Sequence, residues 1–146
     1  MVIHLASDHA GFALKERLAR FLAEKNISVH DEGTYTTESC DYPVFAHSLC
    51  AAVENEQGMG ILICGTGIGV SMAANRHKGI RAALCTTELQ ARLARRHNNA
   101  NVLCLGARII GEELALAIVE AFLEAQFEGG RHQRRIDLIN LPQDSE

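Results

Sequence analysis

The chain has 146 residues, of which 47% are hydrophobic and 22% are charged, and its formal net charge is −4 at pH 7. This composition is typical of a soluble globular protein with one domain that is long enough to bury a core. The negative charge argues against general binding to nucleic acid. No apolar run approaches the length of a membrane span, and the chain opens directly on a strand pattern without a signal-peptide leader. We therefore expect a cytoplasmic protein.

The five cysteines are odd in number and show no CxxC or CxxH spacing. Three of them, Cys64, Cys85 and Cys104, lie in apolar runs typical of strands. A disulfide framework or a zinc site built on cysteine is therefore not expected, and free thiols indicate a reducing compartment.

Apolar periodicity predicts strands and helices in strict alternation. The predicted strands are 2–6, 27–33, 60–64, 80–85 and 101–106. The predicted helices are 11–26, 43–58, a third that runs from the glycine turn after residue 64 to about residue 78, 86–97, 110–127 and a basic helix at 131–140. Pro43 favours the start of the second helix, Gly58 its end, and Thr87 caps the fourth. The tail 141–146 is predicted to be disordered.

Short apolar strands that alternate with helices predict an α/β fold, a single-domain Rossmann-like three-layer sandwich with a five-stranded parallel sheet over residues 1–146. Ligands of such sheets bind at the carboxyl ends of the strands. The polar residues 7–9 follow the first strand, Asp41 and Tyr42 are placed on the loop after the second, and residues 64–69 follow the third. We expect all of them on one rim of the sheet.

The segment GILICGTGIGVS, residues 60–71, is the most informative part of the chain. It predicts a buried strand, a glycine turn and a helix start, with the thiol of Cys64 at the edge of the turn. Glycines allow backbone N–H groups to converge on a ligand oxygen, and a helix N-terminus favours negative charge. The structural alternative is that Cys64 is an ordinary buried cysteine and the glycines permit close packing.

Residues 60–71 do not match three better-known loops that bind phosphate groups. A Walker loop needs a Gly-Lys pair, but no lysine lies between Lys25 and Lys78. A dinucleotide fingerprint needs a glycine at position 70, and a cysteine-dependent phosphatase places an arginine there; this chain has Val70.

Two groups of polar residues beside the predicted strands have both a functional and a structural explanation. Asp8 could bind a polyol or cap the first helix, and His9 could contact an anion or a ring oxygen. Tyr42 could line a site or pack at a helix entry. His97 and Asn98 could perform acid–base chemistry at a sugar oxygen, although a histidine is also favoured at a helix C-terminus.

Arginines form the last group. Arg131 and Arg135 lie one helical turn apart and could clamp a phosphate, with Arg108 as a third contributor, or they could form a solvated basic face.

Several segments, in this order, resemble the sugar-phosphate isomerases of the ribose-5-phosphate isomerase B type over nearly the full length. They are SDHAGFALK, DEGTYTTESCDYP, GILICGTGIGVSMAANR, RRHNNANVLCLGARIIG and FEGGRHQRRI. The resemblance implies five parallel strands and a homodimer or a dimer of dimers with shared active sites. It also implies a reaction without metal or cofactor that interconverts D-ribose 5-phosphate and D-ribulose 5-phosphate through an enediol(ate).

The resemblance also implies a role for each matching residue. Cys64 matches the base that moves a proton between C1 and C2, His97 the residue that opens the sugar ring, and Thr66 a group that assists ring opening. The enediolate oxygen is held by the loop Gly65, Gly67, Ile68 and Gly69. Hydroxyls are bound by Asp8 and Asn98, Tyr42 lines the site, and the phosphate is bound by His9, Arg108, Arg131 and Arg135. Relatives without the cysteine use a glutamate on the next helix; here that helix carries Asn75 and no carboxylate.

Other functions remain open at this stage. The same chemistry on allose 6-phosphate or galactose 6-phosphate needs only room for one more carbon. A non-catalytic sugar-phosphate-binding module would not need the thiol. A thiol redox enzyme would need a second cysteine nearby, and the nearest in sequence, Cys50 and Cys85, are 14 and 21 residues from Cys64. The retention of Cys64, His97 and both arginines favours a self-sufficient homo-oligomer. The sequence does not fix the preferred sugar, the choice of dimer or tetramer, or the metabolic pathway.

Overall fold

The computed structural model describes residues 2–144, apart from the side chain at position 144. Its strands are β1 Val2–Ser7, β2 Ser28–Asp31, β3 Met59–Cys64, β4 Ala82–Leu84 and β5 Val102–Gly106. Its α-helices are α1 Phe12–Glu24, α2 Tyr42–Glu56, α3 Ile68–Ala74, α4 Glu88–Asn98, α5 Glu112–Glu124 and α6 Arg131–Asp137. A 3₁₀ turn, Pro142–Asp144, follows.

The five strands form one fully parallel sheet in the order β2-β1-β3-β5-β4. Ser7 pairs with Ile63, and Cys64 pairs with Gly106, so β1, β3 and β5 end side by side. The chain leaves β1 toward one edge of the sheet and leaves β3 toward the other. This reversal opens a crevice between β1 and β3, which is where such sheets bind ligands.

Helices cover both faces of the sheet. The core on one face includes side chains from α1, α4 and α5, such as Leu18, Ala91 and Phe122. The core on the other face joins α2 and α3 through residues such as Leu49 and Val70. The predicted three-layer α/β fold with five parallel strands is therefore confirmed.

The central strand β3 shows why the sheet is buried on both sides. Ile61, Leu62 and Ile63 are all 0% exposed. Successive side chains of a strand point to opposite faces, so each layer receives part of this apolar run. Burying one such side chain stabilises the fold by about 1.5–3 kcal/mol. The same alternation directs Cys64 toward the layer of α2 and α3.

Several helix ends differ from the predictions, and the fifth helix covers Glu112–Glu124 instead of 110–127. The third helix stops at Ala74 instead of about residue 78, because the Asn75 side chain bonds both the N–H and the C=O of Ala82 and turns the chain into β4. The second helix ends at Glu56, and Gln57, not Gly58, takes the left-handed conformation with φ of 52°.

Other element boundaries also differ from the predictions. Tyr42 is the first residue of α2 and does not lie on the preceding loop. The last helix ends at Asp137, not at residue 140, and residues 142–144 of the tail predicted to be disordered form the 3₁₀ turn; residues 145 and 146 lie outside the described residues. The Thr87 cap is confirmed, because its hydroxyl accepts from the Gln90 N–H at 3.1 Å. Among the helices of residues 2–144, none has the length and apolar character to cross a membrane.

Candidate active site

The ends of β1, β3 and β5 are tied together by backbone hydrogen bonds. The Asp8 N–H donates to the Ile63 carbonyl at 3.2 Å, and the Arg108 N–H donates to the Gly65 carbonyl at 2.9 Å. We call this region, made of Asp8, His9, Tyr42, residues 64–69 and Arg108, the thiol rim. These predicted site residues therefore do lie on one rim.

Cys64 lies at the centre of the thiol rim and is 5% exposed. The Gly67 N–H donates to its Sγ at 3.2 Å, so a backbone hydrogen bond holds the sulfur at the end of β3. Gly67 has a φ of +78°, and a Cβ there would lie 2.5 Å from the Leu84 side chain and 2.9 Å from the Leu105 carbonyl carbon. Only glycine fits this conformation and this space, so the turn that aims its N–H at the sulfur depends on Gly67.

The three other buried cysteines, Cys50, Cys85 and Cys104, have raised pKa values. Burial raises the pKa of Cys50 to about 12, with a further contribution from Glu54, and raises the pKa of Cys85 to about 11. Burial also raises the pKa of Cys104 well above its ordinary value; Cys50, Cys64 and Cys85 interact with this thiol. All of the cysteines are free thiols. Cys50, Cys85 and Cys104 therefore stay protonated near neutral pH.

Two N–H groups of the loop are already used inside it. The Gly67 N–H faces the thiol, and the Ile68 N–H donates to the Thr66 hydroxyl at 3.2 Å. Gly69 and Val70 lie in the first turn of α3, where an N–H has no intrahelical partner. In this geometry the N–H groups of Gly67 and Ile68 both have partners within the loop. The donors that this geometry leaves open are further along the loop.

Two larger side chains flank the glycine loop. A Cβ at position 69 would lie 2.5 Å from the ring of Tyr42, so the ring packs directly on Gly69. A Cβ at position 65 would lie 3.1 Å from the guanidinium of Arg108. The absence of side chains at Gly65 and Gly69 thus brings an aromatic ring and a positive charge to the loop.

Asp8 and His9 complete the thiol rim. One carboxylate oxygen of Asp8 accepts from the Gly11 N–H at 3.1 Å, so Asp8 does bond the start of α1, and its side chain is buried. The His9 Nδ1 accepts from the Cys40 N–H at 3.2 Å. In the neutral ring this places the proton on Nε2, which can then donate to a ligand.

His97 and Asn98 lie at the other end of the molecule. Helix α4 begins near the carboxyl ends of the strands and returns over roughly 16 Å to the opposite edge of the sheet. There the ring of His97 stacks on His132, with the ring centres 4.5 Å apart. We call the group His97, Asn98, Glu128, Arg131, His132 and Arg135 the histidine edge.

Glu128 connects the two stacked rings of the histidine edge. Its Oε1 lies 3.9 Å from Nε2 of His97 and 3.6 Å from Nε2 of His132. A hydrogen bond from Arg96 lowers the pKa of Glu128. Burial, together with the charges of His97 and Arg131, lowers the pKa of His132. The three groups His97, Glu128 and His132 are close enough to hold a metal ion.

Sequence reasoning missed Glu128 and His132. Their spacing of four residues, next to the glycine pair 129–130, is a signal that could have found them.

The arginines of α6 are exposed, and neither Arg131 nor Arg135 has an acidic partner within residues 2–144. Asn98 borders a separate cavity of about 590 Å³ that is also lined by Asn75 and Arg81. One chain therefore holds two sets of the predicted site residues at opposite ends of the strands. The fold does not bring Cys64 and His97 of the same chain together.

The model of the ribose/galactose isomerase family matches residues 3–139. The chain belongs to this family. Ribose-5-phosphate isomerase B of Escherichia coli is 49% identical to it over 94% of this chain and 93% of that protein. The structure of ribose-5-phosphate isomerase B from Clostridium thermocellum superposes with a TM-score of 0.94 at 48% identity and covers 95% of both chains.

A third family member is relevant to the site. The structure of ribose-5-phosphate isomerase B from Mycoplasma genitalium, determined with bound ribulose-5-phosphate, has a TM-score of 0.91 and 50% identity, over 94% of this chain and 93% of that one. The family resemblance drawn from the sequence is thus confirmed, and the chain is an aldose–ketose isomerase of the ribose/galactose isomerase family.

Proposed function

We propose that this isomerase interconverts D-ribose 5-phosphate and D-ribulose 5-phosphate with Cys64 as the base. The observation that carries the proposal is the Cys64 sulfur, held 3.2 Å from the Gly67 N–H at the end of the central strand. Helix α3, which follows the thiol, contains no carboxylate that could serve instead. The ribulose-5-phosphate bound to the Mycoplasma genitalium relative supports the choice of a pentose phosphate.

The proposed proton transfer uses one base on one face of the sugar. The Cys64 thiolate removes the proton from C2 of the open-chain aldose, and the electrons of the C–H bond form the C1–C2 double bond of an enediolate. The thiol then returns the proton to C1 while the hydroxyl proton of C2 moves to O1, which leaves the ketose carbonyl at C2. The negative oxygen is stabilised by N–H groups of the Gly65–Gly69 loop, and loss of one such donor costs a factor of roughly 10²–10³.

Ring opening and substrate binding require residues from both the thiol rim and the histidine edge. His97, held by His132 and Glu128, opens the furanose ring by acid–base catalysis at the ring oxygen, and Thr66 assists beside the thiol. The phosphate is bound by the His9 Nε2–H and by Arg108, Arg131 and Arg135, since charge-assisted bonds to phosphate favour arginine. Asp8 and Asn98 bind sugar hydroxyls, and Tyr42 lines the site.

We propose that each active site combines the thiol rim of one subunit with the histidine edge of another, in a homodimer or a dimer of dimers. The support is that Cys64 and His97 lie at opposite ends of the strands in one chain, while both are needed by the reaction. A C2 axis satisfies this requirement because each subunit then supplies both halves. The free thiols support a reducing compartment, such as the cytoplasm.

A hexose 6-phosphate is the second candidate substrate, because the family includes galactose isomerases. A pocket that admits one more carbon changes discrimination by only about 1–3 kcal/mol. Turnover of allose 6-phosphate and galactose 6-phosphate should therefore be measured beside that of ribose 5-phosphate.

The test is turnover of ribose 5-phosphate in EDTA by Cys64→Ser, His97→Asn and their mixture after co-refolding. Each variant alone should lose activity by roughly 10²–10⁴. The mixture should regain about a quarter of the wild-type rate, because half of the dimers are mixed and one site in each is intact. Cys50→Ser is the control and should stay active.

Two results would contradict the proposal. An active Cys64→Ser variant would exclude the thiol as the base and assign the proton transfer to another group. Two inactive variants that stay inactive when mixed would exclude shared sites but not the base.

A further inference from the structure

A second cluster of ionisable side chains lies at the β1–β2 edge of the sheet, away from the thiol rim. His4 on β1 and His30 on β2 are paired in the parallel register. Glu32 follows His30 by two residues, and residues two apart in extended chain point to the same side. The register therefore places two imidazoles and a carboxylate together on one face.

His4 is fully buried between two carboxylates. Its Nδ1 lies 2.9 Å from Oε1 of Glu32, and its Nε2 lies 3.0 Å from Oε2 of Glu56 at the end of α2. A neutral imidazole carries one N–H and can donate to only one of these carboxylates. The other contact then sets a nitrogen lone pair against a carboxylate oxygen. A second proton on the ring removes this conflict, and so does a positive ion that takes the place of one carboxylate contact.

The ligand atoms of His4, His30 and Glu32 all lie within 4.8 Å of one another. The two imidazole rings meet edge to face with their centres 5.3 Å apart. Small shifts of these side chains would bring the three ligand atoms to zinc–ligand distances of about 2.0–2.2 Å from an ion between them. His30 is exposed, so the ion can enter from solvent.

We propose that His4, His30 and Glu32 bind a divalent transition-metal ion of the zinc class. The ion replaces the contact between His4 Nδ1 and Glu32, and a water completes four ligands. Glu56 then accepts the Nε2–H of His4 and orients the ring, as carboxylates do behind metal-bound histidines.

The proposed ion has a structural role. It links the edge strand β2 to its neighbour β1 in the sheet. His4 pairs with Gly60, four residues and roughly 13 Å along the strands from Cys64. The ion therefore takes no part in the isomerase chemistry proposed above.

The test is titration of the metal-free protein with Zn²⁺ by calorimetry and with Co²⁺ by absorption spectroscopy. The wild type should bind one ion per chain without a thiolate-to-cobalt band, and zinc should raise the melting temperature. His30→Gln and Glu32→Gln should each weaken binding at least about tenfold and abolish the zinc-dependent rise. Glu56→Gln should weaken it about tenfold through the ring of His4. Substitution of the buried His4 is avoided, because it could prevent folding.

His77→Gln is the matched control, since His77 lies 3.2 Å from Glu54 and forms a histidine–carboxylate pair elsewhere on the surface. It should bind zinc like the wild type. No binding at about millimolar metal would overturn the proposal. Zinc binding that survives both His30→Gln and Glu32→Gln would also overturn it. Zinc binding that is lost in His132→Gln would overturn it as well, because that result assigns the ion to the histidine edge.

Discussion

The thiol rim and the histidine edge are built in different ways. The thiol rim is made largely of backbone: Cys64 is buried, and Gly67 and Gly69 approach other groups so closely that no other residue fits. The histidine edge is made of side chains on the ends of two helices, and the guanidinium groups of Arg131 and Arg135 face outward without acidic partners within residues 2–144. In the thiol rim the backbone of the same chain already holds the reactive sulfur. In the histidine edge the positive charges of Arg131 and Arg135 are not neutralised by any acidic group within residues 2–144.

The two halves are therefore held in place by different interactions. A backbone turn between packed strands is fixed by the sheet, so the Gly67 N–H is aimed at the sulfur before any ligand arrives. The histidine edge gains order from the stack of His97 on His132 and from Glu128. We expect substitutions at the thiol rim to affect both folding and chemistry. Substitutions at the histidine edge should affect folding less, and they should act on ring opening at His97 and on phosphate binding at the arginines.

Among the substitutions that test this comparison, Gly67→Ala should have the strongest effect. A Cβ with φ of +78° and contacts of 2.5 Å and 2.9 Å forces the turn to move, which destabilises the protein by about 1–3 kcal/mol. The displaced turn should also lower kcat by roughly 10²–10³. Denaturant unfolding and steady-state kinetics measure the two effects. Gly111→Ala is the control, because a Cβ there meets nothing within 4 Å. Equal behaviour of the two variants would show that the turn is not a constrained element.

An intermediate effect is expected from Arg131→Gln. Loss of one charge-assisted bond to phosphate, worth about 1.5–3 kcal/mol, should raise KM by roughly 10- to 100-fold with little change in kcat. Arg134→Gln, on the same helix but outside the proposed clamp, should change KM less than about twofold. If both variants behave alike, α6 contributes only general positive charge, and the histidine edge is not a specific phosphate site.

The smallest expected effect is on the pH dependence of folding stability, to which His132 contributes. Because burial and the charges of His97, Arg131 and Arg135 outweigh the attraction of Glu128, the folded pKa of His132 lies below its ordinary value. The unfolded chain therefore binds more protons, and this contribution to stability is present above about pH 6.5 and is lost as the pH falls through the lowered folded pKa.

Melting temperatures of the wild type and His132→Phe between pH 8 and pH 5 provide the measurement. The phenyl ring keeps the stack on His97 without a titrating nitrogen, so the variant should lose less stability on acidification. Parallel curves for the two proteins would mean that His132 does not contribute to the acid sensitivity.

Much of the thiol rim could be predicted from the sequence. The spacing of glycines after an apolar run located the turn, and the rule for the carboxyl ends of parallel strands placed Asp8, His9 and Cys64 together. What the sequence missed were contacts between segments distant in the chain. Examples are the hydrogen bond from Cys40 to His9, the Asn75 bonds that end α3, and the buried Lys15, whose Nζ lies 2.6 Å from both carboxylate oxygens of Asp31.

The order of elements, the parallel sheet and the glycine turn could all be predicted from local patterns, because apolar periodicity and glycine conformation act over a few residues. Only the tertiary structure decided that His97 lies at the opposite edge from Cys64, since that separation follows from the direction in which α4 returns across the sheet. It also decided that Glu128 and His132 support His97, and that His4 lies between two carboxylates. These relations depend on side chains brought together by the packing of whole elements, which no local pattern specifies.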